Sequence, residues 1–121
     1  MKQPGPDHPI TVTPNPNRVR VVLGGFIVAE TTRSLTLKEA QLSPVHYIPR
    51  DDVNMDLLDR TDRSTHCPYK GDASYYTVTA GGLERPNAVW TYENPNSAVK
   101  EIAGHLAFYP NQMDAIEEFT D

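Results

Sequence analysis

Two adjacent glycines between two β-rich runs constrain the fold of this chain more than any other feature. The run R-V-R-V-V-L at 18–23 is followed by glycines at 24–25 and then by F-I-V-A-E-T-T at 26–32. The favoured two-residue hairpin turn needs a positive φ at both central positions, which glycine adopts without strain. The sequence therefore predicts an antiparallel β-hairpin at this point.

The pairing in this hairpin also predicts where two glutamates point. If Leu23 pairs with Phe26, then Val19 pairs with Glu30 further from the turn. Glu30 then points to the same side of the hairpin as the apolar side chains. The run S-L-T-L-K-E-A at 34–40 alternates as well, and its apolar stripe ends in Glu39. A buried ionised carboxylate is costly unless it is paired or hydrogen-bonded. Either these strand ends reach solvent, or Glu30 and Glu39 line a polar pocket.

The remainder of the chain reads as further short strands with little helix. S-T-H-C at 64–67 and D-A-S-Y-Y at 72–76 flank a turn, and a later hairpin returns through 87–92 after a longer connection that contains two glycines and a proline. The spacing of apolar residues over 95–106 predicts one short amphipathic helix. We expect the acidic tail to be loose. The fold class is mainly β, made of antiparallel hairpins with one short C-terminal helix, and barrel, sandwich and tent packing stay open.

Size and charge limit the classes of function. The 121 residues favour a single domain over 1–121, with an irregular arm at 1–9. The net charge of −5 and the absence of a basic run argue against nucleic-acid binding. No signal peptide and no apolar run long enough for a membrane helix are visible, and one cysteine allows no internal disulfide. We expect a soluble, cytoplasmic protein without membrane contact.

The stretch S-T-H-C-P-Y-K-G-D-A-S-Y-Y at 64–76 admits two interpretations. In the first, Pro68 and Gly71 shape a four-residue loop that places Cys67 opposite Asp72, and no chemistry is needed. In the second, Cys67 is a nucleophile, which requires a neighbour such as Lys70 or His66 to lower its pKa from about 8.5. Lys70 at the loop tip is equally suited to binding an anion.

Metal ligands and cofactors are not indicated. Four histidines and one cysteine lack the close spacing of a zinc site, and the acids near residue 51 are ordinary for the first turn of a helix. No motif identifies a cofactor. The aromatic residues Tyr47, Tyr75, Tyr76, Trp90 and Tyr92 are either sheet packing or the wall of an apolar pocket.

Several motifs together resemble one protein family. R-V-R-V…G-G, Y-I-P-R-D-D-V, T-H-C-P-Y-K-G-D-A-S-Y-Y, W-T-Y-E-N-P and A-F-Y-P are similar to the family called domain of unknown function 427, over a core at about 8–115. The resemblance implies a small, mostly β domain of the β-tent type and no established activity. The family sometimes carries a nucleotidyltransferase label, but the arrangement usual in such enzymes, a Gly-Ser turn before paired metal-binding aspartates on a strand, does not occur here. Many β-tent relatives bind zinc through two cysteine pairs, which one cysteine cannot supply.

We therefore expect a pocket near the T-H-C-P-Y-K-G-D loop that binds a small anionic ligand. The candidate catalytic residues are Cys67, which would act as nucleophile if activated, Lys70, and Glu39, which would serve as a base if burial raises its pKa. The predicted ligand-binding residues are Glu30, Tyr47, Arg50, His66, Tyr69, Asp72, Tyr75, Trp90 and Tyr92. A cysteine- or lysine-dependent enzyme and a protein-interaction module remain as alternatives, and the sequence indicates no oligomeric state.

Overall fold

The computed structural model describes residues 2–120, and antiparallel β-strands make up most of them. Within these residues the strands are β1 (Ile10–Asn15), β2 (Arg18–Leu23), β3 (Phe26–Thr31), β4 (Ser34–Glu39), β5 (Val45–Tyr47), β6 (Leu58–Cys67), β7 (Gly71–Ala80), β8 (Leu83–Thr91), β9 (Leu106–Phe108) and β10 (Ala115–Phe119). Short 3-10 segments lie at Arg50–Asp52, Met55–Leu57, Ser97–Ile102 and Pro110–Gln112. The predicted mainly β, antiparallel fold with little helix is confirmed.

The strands form three open sheets, and the largest is covered on both faces. The sheet orders are β1-β4-β5, β10-β2-β3 and β6-β7-β8-β9. Because successive strand residues point to opposite faces, Tyr76 and Val78 of β7 pack with β2 and β3, while Ala73 and Tyr75 pack with β4 and β5. We call these two apolar clusters the first core and the second core, respectively.

The predicted two-glycine turn is confirmed, and its partner is a second turn of the same kind. The glycines at 24–25 have φ angles of 60° and 82°. Glycines at 81–82 join β7 directly to β8, where a longer connection was predicted. The two turns pack backbone against backbone, since a Cβ added to Gly24 would lie 2.4 Å from the carbonyl oxygen of Ala80, and one added to Gly81 would lie 2.0 Å from that of Gly24.

The predicted register of the first hairpin is wrong beyond its turn. A β-bulge between Val21 and Val22 shifts the pairing, because two residues of one strand then oppose one of the other. Glu30 consequently lies opposite Arg20 instead of opposite Val19. Its carboxylate accepts a hydrogen bond from Arg20 Nε at 2.9 Å on a partly exposed surface. Glu30 therefore faces away from the core.

The hairpin around C-P-Y-K-G also differs from the predicted register by one residue. Cys67 lies opposite Gly71, and His66 lies opposite Asp72. Gly71, with a φ of 110°, already pairs as the first residue of β7, so the loop has three residues instead of four. Asp72 therefore meets His66, whose Nδ1 lies 2.7 Å from Asp72 Oδ1, and does not face Cys67.

The C-terminal quarter contains less helix and more strand than the sequence pattern suggests. The predicted helix is a 3-10 segment interrupted at Val99, although Val99 and Ile102 are buried as the periodicity indicates. The tail expected to be loose forms β10, because β2 offers it an unpaired edge. The end of that tail at position 121, like the start of the arm at position 1, lies outside the described residues. Between positions 2 and 120, no helix is long and apolar enough to cross a membrane.

Candidate functional site

A cavity of about 240 Å³ opens on the second-core side of the four-stranded sheet. Strands β4 and β5 form one side, strands β7 and β8 the other, and Leu42 and Ser43 of the β4–β5 loop border it. Five of its lining side chains are aromatic, namely Tyr47, Tyr75, Trp90, Tyr92 and Tyr109. This cavity is the candidate binding site.

Hydrogen bonds and ring contacts fix the aromatic wall. Trp90 Nε1 donates to the Tyr47 hydroxyl oxygen at 3.1 Å, and these two rings meet edge to face. The Trp90 ring also packs on Tyr109, with 4.5 Å between ring centroids. The Tyr75 hydroxyl lies 2.8 Å from Thr65 Oγ1. Tyr47, Trp90 and Tyr109 thus hold one another in place, and Thr65 holds Tyr75.

One end of the cavity is charged. Glu39, the last residue of β4, has a side chain only 8% exposed, and Lys70 of the C-P-Y-K-G loop has one 14% exposed. Lys70 Nζ donates a hydrogen bond to Glu39 Oε1. His8 Nε2 lies 2.8 Å from the other carboxylate oxygen, Oε2. Glu39 thus has a partner at each oxygen, which is what allows its carboxylate to be buried.

The environment of Glu39 makes it a weak base. Burial alone raises the pKa of this carboxyl, but the hydrogen bonds from Lys70 and His8 and their positive charges outweigh burial and hold the pKa below its ordinary value. The condition under which Glu39 would serve as a base, a raised pKa, is therefore not met. A carboxylate that stays ionised at neutral pH suits binding and charge pairing better than proton abstraction.

The tyrosines of the wall stay protonated. Burial is the largest cause that raises the pKa of Tyr47 and of Tyr92 above the ordinary value for tyrosine, and it raises the pKa of Tyr109 as well. Their hydroxyl groups are therefore neutral and able to donate hydrogen bonds. Among the described residues, none forms a hydrogen bond with the Tyr92 hydroxyl, which leaves that group available to a ligand.

The N-terminal arm supports the loop that carries Lys70. The His8 ring stacks on Tyr69, with 4.0 Å between ring centroids and 10° between the ring planes. The Lys2 amide donates to the carbonyl oxygen of Pro68 at 2.9 Å. On the other side, the Asn96 amide donates to the carbonyl oxygen of Lys70 at 2.9 Å. The described part of the arm thus packs against the site.

The cavity gathers half of the residues that the sequence analysis selected. The predicted residues that line it are Glu39, Tyr47, Lys70, Tyr75, Trp90 and Tyr92. They come from β4, β5, β7, β8, the residue after β8 and the loop before β7. Their binding and catalytic roles remain predictions.

The other predicted residues lie outside the cavity wall. Cys67 is half-buried against the second core. Arg50 contacts Tyr76 on the first-core side, with its Nη1 3.2 Å from the Tyr76 hydroxyl oxygen. Arg50 is therefore not beside Lys70. The remaining four residues are in contacts already described, namely Glu30, His66, Tyr69 and Asp72.

Sequence reasoning missed two residues that matter to the geometry. His8 lies 31 positions from Glu39 along the chain, and no local pattern links them. Tyr109 is in the A-F-Y-P motif, which was noted for its resemblance and not for its position beside Trp90. Over residues 2–120, no three His, Cys, Asp or Glu side chains are grouped closely enough to hold a metal ion.

The comparison with protein families agrees with the motifs. The model of a family described as a domain of unknown function (DUF427) matches residues 11–118. No curated protein matches the chain significantly. Because the family match spans most of the chain, the resemblance noted in the sequence is confirmed. The description of the family names no activity.

Proposed function

We propose that this chain, which belongs to the domain of unknown function 427 family, binds a small, uncharged, ring-bearing ligand with hydroxyl groups. The observation that supports it is the aromatic cavity with the buried Lys70–Glu39 pair at one end. Ligand sites are typically apolar and aromatic clefts with a few convergent polar groups that fix orientation. Ring faces would pack on the aromatic wall while hydroxyl groups meet the ion pair.

The charge balance favours an uncharged ligand over the anion expected from the sequence. Lys70 was the residue expected to bind the anion, with Arg50 among the ligand-binding residues, whereas Arg50 contacts Tyr76 and Lys70 is paired with Glu39. A hydroxyl group both donates and accepts, so one hydroxyl is able to bind Glu39 as a donor and Lys70 as an acceptor. The Tyr92 hydroxyl adds a further neutral partner.

The size of the cavity limits the ligand to about one ring with substituents. Its 240 Å³ correspond to roughly eight water molecules at about 30 Å³ each. A ligand of that size reaches affinities on the order of millimolar or tighter. The position of Cys67 outside the cavity wall favours binding over cysteine-dependent catalysis, and we expect Cys67→Ser to leave ligand affinity unchanged.

The test is a fluorescence titration, because the only tryptophan of the chain is Trp90 in the cavity wall. The probes are resorcinol as the neutral hydroxylated ring, benzoate as the anion and benzylamine as the cation. We expect resorcinol to change Trp90 emission with saturation and to bind more tightly than either ion. Tighter binding of benzoate would instead support the anionic ligand expected from the sequence. If no probe gave a saturable change in Trp90 emission, a ligand site in this cavity would be refuted.

A matched pair of variants assigns the signal to the cavity. Tyr92→Phe removes one hydroxyl group from the wall, and we expect it to weaken resorcinol binding by roughly two- to tenfold, the effect of one hydrogen bond. Tyr76→Phe removes a hydroxyl group on the opposite face of the same sheet, and we expect unchanged affinity. Equal effects of the two variants would mean that the probe does not bind in this cavity.

A further inference from the structure

We infer that the binding site continues past Trp90 into a second, apolar cavity, and that the ligand therefore carries an aliphatic substituent on its hydroxylated ring. This inference rests on the proposed function, since it extends the same ligand into a neighbouring space. It assigns the two cavities to two chemical parts of one molecule.

The second cavity has about the same volume as the first and a different lining. It measures about 230 Å³ and lies between β2 and β10 on one side and β5 and β9 on the other. Apolar side chains dominate its wall, including Val21, Ile48, Phe108, Pro110 and Ile116. His46 is the one titratable side chain among its described lining residues. Such a wall favours hydrocarbon and offers little to a hydroxylated ring.

The two cavities are neighbours that share part of their walls. Trp90 and Val45 line both of them. Along the β4–β5 loop, Ser43 borders the first cavity and the next residue, Pro44, borders the second. After β9, Tyr109 likewise lines the first cavity and the next residue, Pro110, lines the second. The boundary between the cavities is thus the Trp90 side chain together with two short stretches of chain.

Trp90 is suited to lie between a polar and an apolar part of one ligand. Its single donor, Nε1, is already bound to the Tyr47 hydroxyl group, so the rest of the indole is an apolar surface. The residue is only half-buried. Each cavity alone is below the ~300 Å³ at which typical ligand pockets begin, whereas the two together fall within their usual range.

The experiment compares phenols that differ only in the length of one alkyl chain. Phenol, 4-ethylphenol, 4-butylphenol and 4-hexylphenol are titrated against the full chain, with Trp90 emission as the readout. Burying a methylene contributes up to about fourfold in affinity, so we expect affinity to rise by roughly two- to fourfold for each methylene until the second cavity is full.

Two variants with the same chemical change show where the alkyl group of the probe binds. Ile116→Phe adds volume inside the second cavity, and we expect it to abolish the gain with chain length while the affinity for phenol stays within about twofold. Ile27→Phe makes the same change on the exposed part of β3, and we expect the wild-type series to persist. Urea unfolding of both variants verifies that each is folded.

The outcomes separate this inference from the proposed function. Loss of the chain-length gain in Ile116→Phe alone supports a shared site. If phenol binds but the gain is absent, or persists unchanged in Ile116→Phe, the second cavity is not part of the site, and the proposed function stands. If neither phenol nor its alkyl derivatives bind saturably, the proposed function fails, and the inference fails with it.

Discussion

The two faces of the four-stranded sheet are built from different chemistry. The first core is mostly aliphatic, and Val19, Val21, Leu23 and Val78 in it are completely buried. The second core carries tyrosines and a tryptophan, and beside it lie the cavity and the buried ion pair. Dense aliphatic packing stabilises a fold without needing specific partners, whereas each buried polar group needs one. We therefore expect the first core to contribute most to stability, and the second core to supply the polar contacts in binding, while Val21, Ile48 and Phe108 of the first core border the second cavity.

The largest expected effect comes from emptying part of the first core. Leu23→Ala removes a completely buried side chain, and we expect a loss of about 2–5 kcal/mol in the free energy of unfolding, measured by urea titration. Leu42→Ala is the matched control, because Leu42 is 59% exposed at the edge of the cavity and should change stability by less than about 0.5 kcal/mol. Comparable losses of unfolding free energy in both variants would contradict the expectation that the first core contributes most to stability.

A second test concerns the packing of the two glycine turns. Gly81→Ala introduces a Cβ where the carbonyl oxygen of Gly24 lies, in addition to the strain of a φ of 59°. Gly82→Ala meets only the strain of a φ of 79°, about 1–2 kcal/mol, because no atom lies within 4 Å of its Cβ. We expect Gly81→Ala to lower the free energy of unfolding by about 1–2 kcal/mol more than Gly82→Ala does. Equal losses would mean that the turns do not depend on each other.

A smaller effect is expected from breaking the ion pair at the cavity. Lys70→Met leaves the Glu39 carboxylate with His8 as its remaining partner, and we expect a loss of about 1–3 kcal/mol. In the double variant with Glu39→Gln, part of this loss should be regained, since no buried charge then lacks its partner. A double-mutant cycle in urea measures the coupling, and a coupling of zero would contradict a stabilising pair.

The exposed Arg60–Glu93 pair is the control for that cycle. Arg60 Nη2 lies 2.9 Å from Glu93 Oε1, but both side chains are about half exposed, at 50% and 47%. Solvent and salt weaken such surface pairs. We expect Arg60→Met to leave the urea midpoint nearly unchanged. A loss of stability as large as that of Lys70→Met would show that the buried pair contributes no more than the exposed one.

The smallest expected effect is a change in acid stability. The pKa of Glu39 is lower in the folded state than its ordinary 4.5, so the pair stabilises the fold above that pH, and this contribution is lost as pH falls through the folded-state pKa. Glu39→Gln should therefore flatten the decline in stability below about pH 4.5. Glu84→Gln on the exposed part of β8 is the control, and the two curves should differ in that window. Parallel curves for wild type and Glu39→Gln would show that Glu39 is not responsible.

Sequence reasoning succeeded where a structural feature depends on nearby residues. The turn at 24–25 follows from the backbone freedom of two glycines, and the alternation in 34–40 correctly turned Glu39 inward with Leu37. The same reasoning failed for Glu30, because Val28 of β3 is an extra residue between the pairs Val22–Ile27 and Val21–Ala29, and it turns the later residues of β3 to the opposite face. The alternation pattern contains no sign of that extra residue.

The sequence by itself determined the mainly antiparallel β character, the family and the aromatic residues from which the cavity is built. Only the tertiary structure decided that His8 and Lys70 meet at Glu39, that Arg50 lies on the other side, and that the acidic tail pairs with β2. The physical reason is the range of the interactions. Turn and strand preferences act over a few neighbouring residues, whereas register, charge pairing and cavities result from packing residues that are far apart in the chain.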